Sequence, residues 1–438
     1  MAFFLFFLVN AALFIRPSEI LPGWQGVEVY FYVIVACLVA SLGDILVYFT
    51  DQPLERKPIT LCVLGIFVAI LIPPLLAGDL DDAWRCGFTF AKVVAYFLLF
   101  VSLVNTPARL LAVQRWLLAF TSVTAALAIL CYLEILDIPA LRPLADNSVG
   151  GRGVRLKGTG ILNDPNEFCT AMAMMIPLSV HFLLNDKNPL LKFFWAVSTA
   201  LFFVAMYYTF SRGGFLALIA GMVVGFAARY GWRRAALFAS VGVPLLLVVF
   251  GGRATQLNLD SSNTSMSRVH LWSDWLDEFR GNLLFGKGTS IGVEALERQD
   301  GIPFKHLAHN SFLQGFADLG IGGGCLFLGA FVIAIWSISR LGHKMVLMLD
   351  PQMRQARPYV LAAVVTYCVG MATLSICYVL PTFLVLAMAS AYERTALRSC
   401  LRSPPPLRFD IPLLGRFVVW GVMCLAAIYL FVRVFINR

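Results

Sequence analysis

Apolar runs of about 20 residues, the length needed to cross a bilayer as helix, recur along almost the whole of this 438-residue chain. They are expected at about 2–15, 27–49, 59–77, 86–104, 113–135, 168–184, 190–210, 213–229, 233–250, 311–339, 358–375, 378–392 and 414–434. Ordinary soluble domains are roughly half apolar and a quarter charged. This chain is 59% hydrophobic and 13% charged, so its runs have to be solvated by lipid. They lack the two-residue alternation of a membrane barrel, and helices satisfy their own backbone groups in lipid. The expected fold is therefore an all-α integral membrane protein, a polytopic bundle of about 12–13 transmembrane helices with one long, partly helical outer loop. The first run lacks a basic start and a small-residue cleavage site, and reads as a retained helix rather than a signal peptide.

The net charge of +9 does not point to nucleic acid, because the basic residues sit in short loops and not on one continuous face. Alternate loops collect them: Arg56 and Lys57, Arg109 and Arg115, Lys187 and Lys192, Arg229 to Arg234, Arg340 to Arg357, and Arg394 to Arg402. By the positive-inside rule that side is the cytoplasm. The acidic loop Asp79–Asp82, the interval 136–167, the Ser211–Gly214 junction and the interval 251–310 then face outward. The chain divides accordingly into N-terminal spans (1–250, with an outer loop at 136–167), the polar interval 251–310 and C-terminal spans (311–438). No cysteine lies between Gly251 and Asn310, so that interval has no disulfide framework or cysteine metal site.

Basic residues on the outer side need an explanation other than topology. Arg212 sits in the tight junction between two runs, where a guanidinium is costly unless it meets a partner or water; it reads as an arginine snorkelling to lipid phosphate or as a ligand for an anion. Gly213 and Gly214 beside it let backbone approach closely. Arg268 lies in a segment where Val269, Trp272, Leu276 and Phe279 recur at helical spacing, which predicts an amphipathic helix near 267–280 against the membrane face, capped by Ser265 or Ser267. Two convergent guanidiniums suit a pyrophosphate, since each forks onto its oxygens. His306 and His309 stand three apart at the foot of the next span. Two imidazoles can serve a metal, but no third ligand stands out by spacing, and no metal or other cofactor is expected. Asn310 or Ser311 is placed to cap the following helix, and His309 is placed to take a proton from a hydroxyl.

The other outer stretch, Gly150 to Phe168, contains several glycines, but their spacing is not that of a phosphate loop or dinucleotide fingerprint. Asp164-Pro165-Asn166-Glu167 reads as a helix start, with Asp as cap and Pro at the first position. Arg152, Arg155 and Lys157 either add positive charge to an anion site or meet lipid headgroups.

Taken in order, Ser211-Arg212-Gly213-Gly214 at a span junction, Arg268-x-x-x-Trp272 in a long outer loop, and His309-Asn310 followed by Gly320-x-x-Gly323 resemble the bacterial O-antigen ligase and O-antigen polymerase superfamily. Gly158-Thr-Gly-x-x-Asn-Asp-Pro-Asn-Glu-Phe168 also looks like members of it. The resemblance implies a metal-independent glycosyltransferase of the inner membrane with its site facing the periplasm. Its donor would be a glycan on undecaprenyl pyrophosphate, and its acceptor a sugar hydroxyl on lipid A-core for a ligase or on another lipid-linked glycan for a polymerase. By motif match Arg212 and Arg268 would meet the pyrophosphate and His309 the acceptor, with inversion at the anomeric carbon. Arg152, Arg155, Asn166, Trp272, His306 and Asn310 would line the substrate. The motifs fit ligase and polymerase alike. A lipid-linked oligosaccharide transporter is the reading from another class, although transporters place their polar site near the midplane in repeated halves.

Overall fold

The computed structural model describes residues 1–21, 23–24, 26–146, 153–251, 262–289 and 307–436. Its helices are α1 (Ala2–Phe14), α2 (Pro17–Ile20), α3 (Val29–Ala40), α4 (Leu42–Asp51), α5 (Pro58–Leu76), α6 (Leu80–Leu103), α7 (Pro107–Tyr132), α8 (Pro165–Asn185), α9 (Pro189–Thr209), α10 (Arg212–Tyr230) and α11 (Trp232–Gly251). They are followed by α12 (Ser262–Gly281), α13 (Ser311–Arg340), α14 (Pro351–Met371), α15 (Leu380–Arg398) and α16 (Ile411–Ile436). Sheet among the described residues is confined to two short antiparallel pairs, Leu144–Ala145 with Val154–Arg155 and Leu347–Met348 with Cys400–Arg402. The protein is a polytopic all-α membrane protein.

Every expected run is helical, but the spans are not all continuous rods. Among the described residues nine helices are long and apolar enough to cross a membrane, and the bent pair α3 and α4 makes a tenth. This is fewer than the 12–13 expected from run length. Helices α11, α14 and α15 occupy the other expected positions. Arg354 and Arg357 open α14, and Glu393, Arg394 and Arg398 close α15, which dilutes the apolar length of both. The run at 27–49 is broken at Ser41, whose backbone leaves the helical region, and the two halves meet at 56°. The acidic stretch Asp79–Asp82 is a helix start and not a loop: Asp79 accepts from Asp82 N at 2.9 Å, and Asp81 and Asp82 fall in the first turn of α6, where the helix dipole favours negative charge.

The largest departure is inside α13. Gly320 has φ 67° and ψ −172°, so the run at 311–339 is two helical pieces joined at a break. A break frees the carbonyls of Ala317 and Asp318 and the N–H of Ile321, which a continuous helix would have paired four residues apart. The segment after α12 takes them all: Lys287 N donates to Ala317 O (3.0 Å), Gly288 N to Asp318 O (3.0 Å), and Ile321 N to Leu283 O (2.8 Å). Glycine is required on both sides of this seam, because a Cβ on Gly286 would strike the Asp318 carbonyl and one on Gly320 the Leu284 carbonyl.

Loops assigned to one side by charge do meet one another. Arg398 pairs with Asp51 (2.9 Å) and donates to Asn105 O (3.2 Å), Arg394 donates to Val101 O (3.0 Å), Arg340 pairs with Glu393 (2.6 Å), and Arg115 pairs with Asp186 (3.0 Å). The opposite end of the bundle gathers the start of α8, the α9–α10 junction, the foot of α13 and the α14–α15 connection.

Candidate functional site

Four local structures build that opposite end. The first is the start of α8, where Asp164 caps the helix by accepting from Asn166 N (2.8 Å) and Glu167 N (3.1 Å), with Pro165 at the first position. The second is the α9–α10 junction. Phe210 takes the left-handed conformation, Ser211 caps α10 by accepting from Gly214 N (3.5 Å), and Arg212 is the first, exposed residue of α10. Gly214 packs on Cys169 of α8 so closely that a Cβ would overlap its sulfur, and the Cys169 thiol donates to Ser211 O at 3.9 Å.

Third comes α12. It starts at Ser262, earlier than expected, so Ser265 and Ser267 lie within the helix and not at its cap, and Arg268 stands in the second turn. The apolar face is as the periodicity predicts, with Val269, Leu276 and Phe279 buried and Trp275 buried beside them. That face is covered by α13 and α16 instead of lying on the membrane surface. Trp272 touches the Phe431 ring of α16 and donates its indole N–H to Ala308 O at 2.8 Å. Arg268 and Trp272, one turn apart, thus sit over the chain that enters α13.

The fourth structure is the entry to α13 itself. Asn310 is buried and caps the helix, accepting from Phe312 N (3.1 Å) and Leu313 N (3.2 Å). His309 precedes it in the left-handed region (φ 47°), half-buried, with its backbone N–H donated to Ser375 Oγ at 2.9 Å.

Electrostatics tie these pieces together. Burial pushes the His309 imidazole below its ordinary value of 6.5; the Arg268 charge pushes the same way and Asp164 opposes. Burial likewise lowers Arg268, followed by the like charge of Arg155, with Asp164 again opposing. Arg155 is fastened by protein groups on three sides: Nε donates to Thr209 O (2.8 Å), Nη2 to Asn166 Oδ1 (2.8 Å), and Nη1 pairs with Asp146 (3.3 Å). Arg155 and Asn166, both expected at substrate, therefore bond each other. Lys157 donates to Asn163 Oδ1 at 2.7 Å. Arg212 stands three residues beyond Thr209, on the junction that Arg155 anchors. Arg152 and His306 lie outside the described residues, and with them any pairing of His306 with His309.

The structure thus brings Arg268, Arg155 and His309 into one electrostatic neighbourhood with Asp164, joins Trp272 to it through Ala308, and engages Asn310 in a cap. Asp164, read from the sequence only as a cap, is also the counter-charge of the cluster. No motif marks Ser375, since its contact with His309 depends on the fold of segments far apart in the chain. Chemically the arrangement offers cations that favour an anion beside a half-buried imidazole whose neutral form is favoured.

Fold and site together describe a multi-pass helical membrane protein with a cation-rich cluster at one end of its bundle. Residues 197–328, from within α9 to within α13, match a family described as O-antigen ligase, and the match supports the O-antigen ligase and polymerase superfamily. It supports O-antigen ligase- or polymerase-type activity, of the glycosyltransferase kind. No curated protein matches the chain.

Proposed function

We propose that the protein is an O-antigen ligase-type glycosyltransferase that moves a glycan from undecaprenyl pyrophosphate to a sugar hydroxyl of lipid A-core, at the periplasmic face of the inner membrane. The observation that carries this reading is the seating of the Arg268 helix over the entry to α13, where Trp272, one turn from Arg268, donates to Ala308 O, next to the half-buried His309. A pyrophosphate leaving group needs its charge neutralised more than it needs a proton, and fixed guanidiniums do this without a divalent cation. Arg212 and Arg268 take that role, and Arg155, half-buried and paired with Asp146, anchors the junction that carries Arg212. The acceptor hydroxyl is a poor nucleophile and needs a base. An imidazole held below its ordinary pKa is unprotonated at neutral pH and ready to accept the proton. Attack from the face opposite the pyrophosphate inverts the anomeric carbon.

Glycan transfer by the purified protein in detergent with EDTA tests this, using an undecaprenyl-pyrophosphate-linked oligosaccharide as donor. Lipid A-core is offered in one tube and donor alone in another, with His309→Ala beside wild type. Glycosylated lipid A-core from wild type, and only a small residual fraction of it from the variant, is the expected result. A ladder of lengthened lipid-linked glycan identifies a polymerase instead, and absence of product from both tubes favours a transporter of lipid-linked oligosaccharide.

A further inference from the structure

The connection between α14 and α15, residues 372–379, touches the backbone on both sides of the site. Thr373 lies against Gly213, the neighbour of Arg212, where an added Cβ would sit 2.6 Å from Thr373 Oγ1. Two residues on, Ser375 Oγ accepts the His309 N–H at 2.9 Å. The two turns are interlocked further: Ser311 Oγ donates to Leu374 O (2.6 Å) and accepts from Ile376 N (2.9 Å), and the Cys377 thiol donates to Ser311 O (2.7 Å). The connection is in turn held from below, because Thr382 Oγ1 donates to Ile376 O (2.5 Å) and the Tyr378 hydroxyl donates to buried Asp318 (3.2 Å), next to the Gly320 break.

His309 needs such a support. A side chain other than glycine adopts positive φ only where its surroundings impose it, and the direction of the imidazole follows from that backbone. We propose that the 372–379 connection registers the arginine-bearing start of α10 against His309, and that Ser375 is a positioning residue for the His309 imidazole. This inference rests on the reading of His309 as the base. It assigns Ser375 no contact with substrate, so Ser375 acts on the turnover step and not on donor binding.

The test uses the full-length protein in detergent and undecaprenyl-pyrophosphate-linked oligosaccharide with lipid A-core, comparing Ser375→Thr with Ser375→Val, which share a shape and differ in the hydroxyl. Misplacing a catalytic group by about 1 Å costs on the order of 100-fold. Ser375→Val is therefore expected to lose about 100-fold in kcat with KM for the donor changed less than about twofold, while Ser375→Thr retains most activity. In a His309→Ala background the same change is expected to remove no more than about twofold of what remains, because the group it orients is gone. Equal kcat for the Thr and Val variants overturns the proposal, as does an undiminished Val effect in the His309→Ala background. His309→Ala with wild-type activity overturns instead the reading of His309 on which it rests.

Discussion

Replacing Gly320 by Ala tests whether the break in α13 is demanded by the segment docked into it, and Gly322→Ala two residues away is the control. At φ 67° and ψ −172° an L side chain is strained by about 1–3 kcal/mol. The new methyl would also meet the Leu284 carbonyl and lie 2.6 Å from Phe285 N, both backbone, so the docked segment has to move. Moving it releases the bonds from Lys287, Gly288 and Leu283, each worth about 0.5–1.5 kcal/mol. Strain and lost bonds together come to roughly 3–7 kcal/mol. With an unfolding entropy of about 2.1 cal/mol/K per residue, a chain of this length converts that cost into an apparent Tm lowered by about 3–8 °C. A Cβ on Gly322 meets nothing within 4 Å, and alanine is the better helix former by about 1 kcal/mol, so Gly322→Ala should melt at or slightly above wild type. Thermal denaturation of both variants in one detergent, followed by tryptophan fluorescence and by retention of the monodisperse peak, decides the matter. Gly320→Ala melting with wild type would refute the claim that the seam between the 282–288 segment and α13 fixes this conformation.

Other outcomes follow from the same geometry. Arg268→Lys keeps the charge but loses the forked donor, and transfer should fall about 10- to 100-fold, the worth of one charge-assisted hydrogen bond; steady-state transfer rates check it. Because burial and Arg268 hold His309 below 6.5, the neutral base persists as pH falls through 6.5, and the acid limb of the rate profile should have its midpoint below that value, measured as transfer rate against pH. Gly214→Ala drives a methyl into Cys169 and should cost about 1–3 kcal/mol of stability, read as a lowered Tm, with Cys169→Ala in the same chain relieving part of the loss.

Run length and composition were enough to place the helices, because apolar solvation dominates a chain like this; cap chemistry located the start of α8 to the residue and narrowed the foot of α13 to Asn310 or Ser311, of which Asn310 is the cap. What the sequence did not reveal are the interruptions. The apolar pattern continues unbroken through Ser41 and Gly320, since hydropathy registers transfer into lipid and not φ and ψ. Asp79 to Asp82 looked like a loop for the converse reason: its three aspartates are charged, although they form the cap and first turn of a helix. The face of α12 was legible from Val269, Trp272, Leu276 and Phe279, but periodicity identifies an apolar face without saying whether lipid or protein covers it, and here α13 and α16 do. At the site, Arg268 and Arg155 stood out as basic residues on the outer side, and His309 as an imidazole at the foot of a span. Ser375 did not, because its bond to His309 spans 66 residues and exists only once α14 has packed.

Burial and the Arg268 charge both disfavour the protonated form of His309, and this has a thermodynamic corollary. An anion seated beside them would offset the Arg268 charge and so raise the proton affinity of the imidazole, and by reciprocity a protonated imidazole would grip that anion more tightly. In the proposed transfer, which leaves the proton on His309 and pyrophosphate beside it, product would be held hardest at the moment of its formation and would loosen when the ring gives its proton away. Under the proposed function, discharge of the base and departure of the lipid carrier would then be coupled, which would tie the turnover of the site to the proton activity of the compartment it faces.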